Sequence, residues 1–155
     1  MIGLIAVTAI FAAGLWYTQT RAHYDRVEGI NEVVIGGVSY AVGEYQGLDG
    51  ASSPLKLRGC FRIEDFGVII ADPAADPTPL IAPDWFECFD AVVLTEDITS
   101  GAAQALLAET NAPYGFDRIV ALYDDGRAFQ WRQINACGEA KFSGDPLPDG
   151  CPPAE

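Results

Sequence analysis

Four cysteines, Cys60, Cys88, Cys137 and Cys151, are the residues with the clearest chemical potential. No two form a C-x-x-C pair, so neither a zinc ribbon nor a thioredoxin-type dithiol fits their spacing. An even number of well-separated cysteines in a short, loop-rich chain suits two disulfides and an oxidising compartment. Three pairings are open. Cys60–Cys88 with Cys137–Cys151 is the expected one, and loop-closure entropy assigns about 3–4 kcal/mol to closures of this size. Cys60 stands between Arg58 and Arg62, and an alternating strand puts all three on one face. Neighbouring cations lower a thiol pKa, which leaves a reactive Cys60 as a minor reading. Four buried free thiols are the bland alternative, because cysteine is among the most buried residue types.

Other chemistry is sparse. The single histidine, His23, directly follows the apolar N-terminus, which disfavours Ser–His–Asp catalysis and histidine ligation of a metal. Asp72, Asp76, Asp124 and Asp125 carry oxygen ligands but lack EF-hand spacing, and they read as solvated turn residues. The acidic pairs Glu64-Asp65, Glu96-Asp97 and Asp124-Asp125 belong to turns and helix starts. No phosphate-binding glycine loop is present. No cofactor is expected. Nine Lys+Arg against 22 Asp+Glu give a net charge of −13, which argues against nucleic acid as a partner.

The elements that must position these residues begin with the N-terminus. Ile2 to Tyr17 carries no charge and is apolar on every side. A helix over residues 1–18 rises about 27 Å, close to a hydrocarbon core of about 30 Å. Trp16, Tyr17 and Arg21 then fall at headgroup depth, where amphipathic rings and long basic side chains settle. A cleaved signal peptide would need a charged start, and a core helix would show one apolar stripe, so an uncleaved single-span anchor is the favoured reading. The expected division is an anchor helix over 1–20, a polar stalk over 21–30, and an α+β domain over 31–155. The basic residues after the span favour a cytoplasmic domain. The cysteines favour the periplasmic side, and they are given more weight.

Within the domain, runs at 31–35 and 38–42 around Gly36-Gly37 predict a hairpin, followed by a turn-rich stretch over 43–54. Leu55 to Ile63 alternates as a half-buried strand. A brief apolar run at 67–71 precedes Asp72 to Pro83, where four prolines in twelve residues predict an extended loop. Trp85-Phe86-Glu87-Cys88-Phe89 is either a core anchor or an exposed aromatic patch. Thr95 to Glu109 predicts a helix capped by Thr95 or Asp97, with Ile98, Ala102, Ala105 and Leu106 as its stripe. Asp124-Asp125-Gly126 joins two runs, 117–123 and 127–135, into the clearest hairpin. The Gly/Pro-rich tail after Cys137 has a disulfide to tie it down. The sum is an N-terminal transmembrane helix followed by a small antiparallel-sheet domain with one main helix and disulfides, an α+β protein.

Several stretches carry a resemblance: YQGLDGASSPLKLRGCF (Tyr45–Phe61), APDWFECFDA (Ala82–Ala91), YGFDRIVALYDDGRAFQWRQINACGEA (Tyr114–Ala140) and the terminal GCPP. The chain resembles an uncharacterised family of short, membrane-anchored alphaproteobacterial proteins, chiefly of the Rhodobacter and Paracoccus group. The resemblance supplies no catalytic residues. A single span, a small disulfide-bonded periplasmic domain and no recognisable active site suit a non-catalytic accessory subunit of a bacterial membrane protein complex, with respiratory or photosynthetic electron-transfer complexes as candidates by architecture and lineage. The partners would be integral membrane subunits and the lipid bilayer. Contacts would run through the small-residue helix face of Gly3, Ala6, Ala13 and Gly14 and through Trp85 and Phe86. A transient assembly or envelope-maintenance factor is the alternative, and a thiol-active enzyme using Cys60 a weaker one.

Overall fold

The computed structural model describes residues 2–65, 67 and 69–153, so Met1 of the expected anchor and Val68 of the short apolar run fall outside it. The order is α1 (Ile2–Thr20), β1 (Asp25–Val27), β2 (Glu32–Ile35), β3 (Val38–Asp49), a 3-10 turn (Pro54–Lys56), β4 (Arg58–Ile63), α2 (Ala91–Ser100), β5 (Ala103–Glu109), β6 (Phe116–Tyr123), β7 (Arg127–Ile134) and α3 (Ala136–Ser143). The seven strands form one antiparallel sheet in the order β1-β3-β4-β7-β6-β5, with β2 paired to β3 beside β1. The fold is α+β.

Gly36 and Gly37 join β2 to β3 with φ of 60° and 82°, the two positive values that a tight hairpin turn needs. A register shift between Gly43 and Gln46 bends β3. The β2–β3 hairpin therefore curls over the sheet until the Gly36 N–H donates to the Ala108 carbonyl on β5 at 3.0 Å. Val33, Ile35, Val42, Phe61, Ile63, Leu106 and Val120 fill the space beneath it. The opposite face packs Trp131, Ile119, Ala121 and Cys60 against Phe86, Phe89 and Leu94. Both faces of the central strands are thus covered, which is why β4 is buried at five of six positions instead of half-buried as its alternation suggests.

Other expectations need correcting. The helix expected over 95–109 starts at Ala91, because the Asp90 carboxylate accepts from the N–H groups of Val92 and Val93 at 2.9 and 3.1 Å. It stops at Gly101, whose φ of 81° is left-handed. Ala103–Glu109 is strand β5, although Ala, Gln, Leu and Glu favour helices, since pairing with β6 and burial on both faces outweigh propensity. The turn-rich stretch over 43–54 is strand as far as Asp49. The stalk is not free: Asp25–Val27 pairs with Gly47–Asp49, and Tyr24 packs on the core. The tail begins with helix α3, capped by the Asn135 side chain accepting from the Gly138 N–H at 3.0 Å. The hairpin of β6 and β7 stands as expected, with the disulfides Cys60–Cys88 and Cys137–Cys151.

Candidate functional site

Helix α1 presents apolar residues that the rest of the chain leaves uncovered. Leu4, Ile5, Val7, Ile10 and Phe11 are each at least 65% exposed, and the exposure continues through Leu15, Trp16 and Tyr17. Contiguous apolar surface of this extent marks an interaction site in a folded protein. Among the described residues, no helix is long and apolar enough to cross a membrane. At about 100° per residue, Gly3, Ala6, Ala13 and Gly14 fall on one side of α1, shared with Ile10 and Tyr17. A Cβ added at Gly3 or Gly14 would meet nothing within 4 Å, so backbone can approach closely there.

The helix meets the domain through a collar of cations and aromatic rings. The Arg21 guanidinium lies 6.0 Å from the Trp16 ring centroid and 5.4 Å from that of Trp85. Arg26 stands over the same Trp85 ring at 4.8 Å. Tyr24 meets Trp85 edge-on at 6.3 Å, and the Lys56 ammonium sits 5.0 Å above Tyr24. Lys56 also donates to the His23 carbonyl at 2.9 Å, which ties the chain leaving α1 to the 3-10 turn. Trp16, Arg21, Tyr24, Ile81, Pro83, Asp84 and Trp85 line a cavity of about 340 Å³. Each cation–ring contact contributes about 0.5–1 kcal/mol where water reaches it. None of the ion pairs among the described residues involves Arg21, Arg26 or Lys56.

Trp85 is held in place from both sides. In Trp85-Phe86-Glu87-Cys88-Phe89 the two phenylalanines are buried plugs and Cys88 is bonded to Cys60 on β4, which leaves Trp85 half-buried at the rim. On the other side, Arg58 is 4% exposed and meets no carboxylate among its hydrogen-bond partners. It donates to the carbonyls of Leu80 and Ile81 at 2.7 and 3.2 Å, and to those of Leu55 and Leu57 at 2.7 and 2.6 Å. Its guanidinium lies 5.6 Å from the Phe89 ring centroid. Burial lowers the Arg58 pKa to about 10, so it keeps its charge at neutral pH. Arg58 therefore clamps the proline-rich loop to the sheet, and that loop presents Ile81 at 79% exposure beside Trp85.

The structure thus gathers Trp16, Arg21 and Trp85 at one place, with Tyr17 exposed on the helix beside them. Phe86 is corrected: it is 4% exposed and belongs to the core, not to a contact surface. The minor reading of Cys60 as a reactive thiol is corrected too, while its expected bond to Cys88 is present. Cys60 is 7% exposed and disulfide-bonded, so it offers no thiolate. Arg26 was expected at the interface with Arg21, whereas Tyr24, Lys56, Arg58 and Ile81 were not anticipated there. Tyr24 and Arg26 recur within a few residues of the helix end, a local signal. Lys56 and Ile81 arrive through tertiary packing and leave no mark in the nearby sequence.

Two other polar clusters make hydrogen bonds within the domain. Under the β2–β3 hairpin, Arg118 pairs with Glu109 at 2.6 Å and donates to Gln130 at 2.9 Å and to the Val34 carbonyl at 2.6 Å. Gln130 donates in turn to the Tyr45 hydroxyl at 2.7 Å, and burial raises the Tyr45 pKa. Between β7 and α3 a cavity of about 710 Å³ is rimmed by Asp76, Asp117 and Glu139. One Asp117 oxygen already accepts from the Asn111 N–H at 3.0 Å and from the Asn135 amide at 2.6 Å. Among the described residues, no group of three or more His, Cys, Asp or Glu is placed to hold a metal ion.

Fold and site together define a disulfide-stapled antiparallel α+β domain carried on an exposed apolar helix. The chain belongs to DUF6446, a family of unknown function, whose profile matches residues 34–152. That match runs from β2 to the disulfide-bonded tail and leaves out α1 and β1. Neither a curated protein nor a solved structure matches the chain.

Proposed function

We propose that this protein is a membrane-anchored, non-catalytic accessory subunit of a membrane protein complex, with α1 in the bilayer and the domain on the oxidising, periplasmic side. The observation that carries the reading is the all-round apolar exposure of α1, ending in a belt of Trp16, Tyr17 and Arg21. Nineteen helical residues rise about 28 Å, just under a hydrocarbon core of about 30 Å, so Arg21 at the end of α1 comes within reach of one headgroup layer when the N-terminus reaches the other, with Trp16 and Tyr17 about one turn below it. Two disulfides support an oxidising compartment. The small-residue side of α1 admits close packing by a second helix, and the domain adds a rigid surface around Trp85.

The test is extraction of the tagged full-length chain in a mild detergent, with mass spectrometry of what elutes. A defined set of membrane subunits in constant ratio is expected. A lone chain, or trace clients and chaperones only, would remove the subunit reading in favour of a transient assembly role.

A further inference from the structure

We propose that the collar of Arg21, Arg26, Trp85 and Ile81 binds anionic phospholipid headgroups, and so seats the domain on the membrane surface instead of leaving it hanging from α1. The inference rests on the membrane reading of α1 and adds a lipid chemistry to it. Four observations carry it.

The first is charge placement. The chain carries −13 overall, yet Arg21, Arg26 and Lys56 of its nine Lys+Arg cluster at this end. The rest of so acidic a domain is repelled by an anionic surface, which leaves this face as the one that can approach. The second is guanidinium geometry. Arg21 and Arg26 both stand over the Trp85 indole, at 5.4 and 4.8 Å. A guanidinium stacked on a ring keeps its N–H edge open, and that edge matches two phosphate oxygens.

The third is the rim itself. Ile81 at 79% exposure and the amphipathic Trp85 line one cavity with Trp16, and rings with one apolar and one polar end settle at a bilayer surface. The fourth is the loop backbone. Arg58 already occupies the carbonyls of Leu80 and Ile81, and Pro83 has no N–H, so the loop gives up little hydration on entering the interface. Asp84 lines the same cavity, and its carboxylate competes with a lipid phosphate for the two arginines.

The experiment places the full-length chain, in a Trp16→Phe background, into nanodiscs of phosphatidylcholine alone or mixed with phosphatidylglycerol, both doped with brominated lipid. Trp131 is fully buried and reports an intact core, so lipid quenching reads Trp85. Quenching is expected in the anionic discs, weaker in the neutral ones and weaker at high salt. Arg21→Gln with Arg26→Gln is expected to lower the docked-to-free ratio about thirty-fold, given the surface attraction of each basic residue. Asp84→Asn is expected to raise it. Trp85 left unquenched in anionic discs that hold the chain overturns the proposal and leaves the anchor reading intact. Equal quenching in both discs, unchanged by the arginine substitutions, overturns the headgroup specificity. A chain that does not enter discs at all overturns the anchor reading itself.

Discussion

Removing the two disulfides one at a time should give unequal results, although loop entropy alone makes them nearly equal. Cys60–Cys88 spans 28 residues and Cys137–Cys151 spans 14. The chain-entropy relation gives about 3.5 kcal/mol for the first and about 3 kcal/mol for the second. The folded state separates them. Cys60 is buried, and Cys88 holds the segment whose Phe86 and Phe89 plug the core, so this segment cannot loosen without exposing that core. Residues 144–150 are exposed, and Tyr114 adds one hydrogen bond to the Pro152 carbonyl at 3.0 Å. Once Cys137–Cys151 is cut, this tail frays in the folded protein as well, and the entropy gained there cancels most of that gained on unfolding. Cys60→Ala with Cys88→Ala should therefore cost about 3–5 kcal/mol, and Cys137→Ala with Cys151→Ala less than about 1 kcal/mol. The assay is urea unfolding of the full chain in detergent, followed by Trp131 fluorescence. Equal losses, or a larger loss for the tail pair, would refute the reasoning.

Arg58→Met should cost about 3–5 kcal/mol, because several of its four carbonyl partners lose their donor inside the protein; the free loop should also be cut faster near Leu80 in limited proteolysis. Gly59→Ala places a Cβ 2.9 Å from the Gln130 side chain and 3.1 Å from the Tyr45 hydroxyl, and should lower stability by about 1–3 kcal/mol in a denaturant titration. The Tyr123 hydroxyl should titrate at about 12 in the folded protein, held up by burial and then by its hydrogen bond to Asp97; Asp97→Asn should bring the spectrophotometric midpoint down. The folded state keeps this proton while the unfolded chain loses it above about pH 10, so stability falls as pH rises from about 10 to 12.

The legible parts of this fold are those written in local patterns. Asp124-Asp125-Gly126 between two apolar-rich runs marks the β6–β7 hairpin, and Gly36-Gly37 marks β2–β3. Ala103–Glu109 was not legible, because its residues favour a helix in isolation and become a strand only when β6 pairs with them. The end of β3 was hidden by Gly47, which reads as a turn residue. It sits opposite Gly59 in the sheet, where the missing side chains make room for Tyr45 and Gln130. The collar shows the same division: Trp16, Arg21 and Trp85 stand out as residue types, whereas Lys56, Arg58 and Ile81 gain their meaning from a sheet that brings distant segments together.

The central claim is that α1 holds the chain in a membrane. It is tested most directly by floating natively expressed full-length protein on a density gradient after an alkaline wash that strips peripheral proteins. The account predicts that the protein rises with the lipid, and that Ile5→Asp with Ile10→Asp, which touches no domain residue, leaves it at the bottom. Full-length protein that stays at the bottom after the wash would contradict the account.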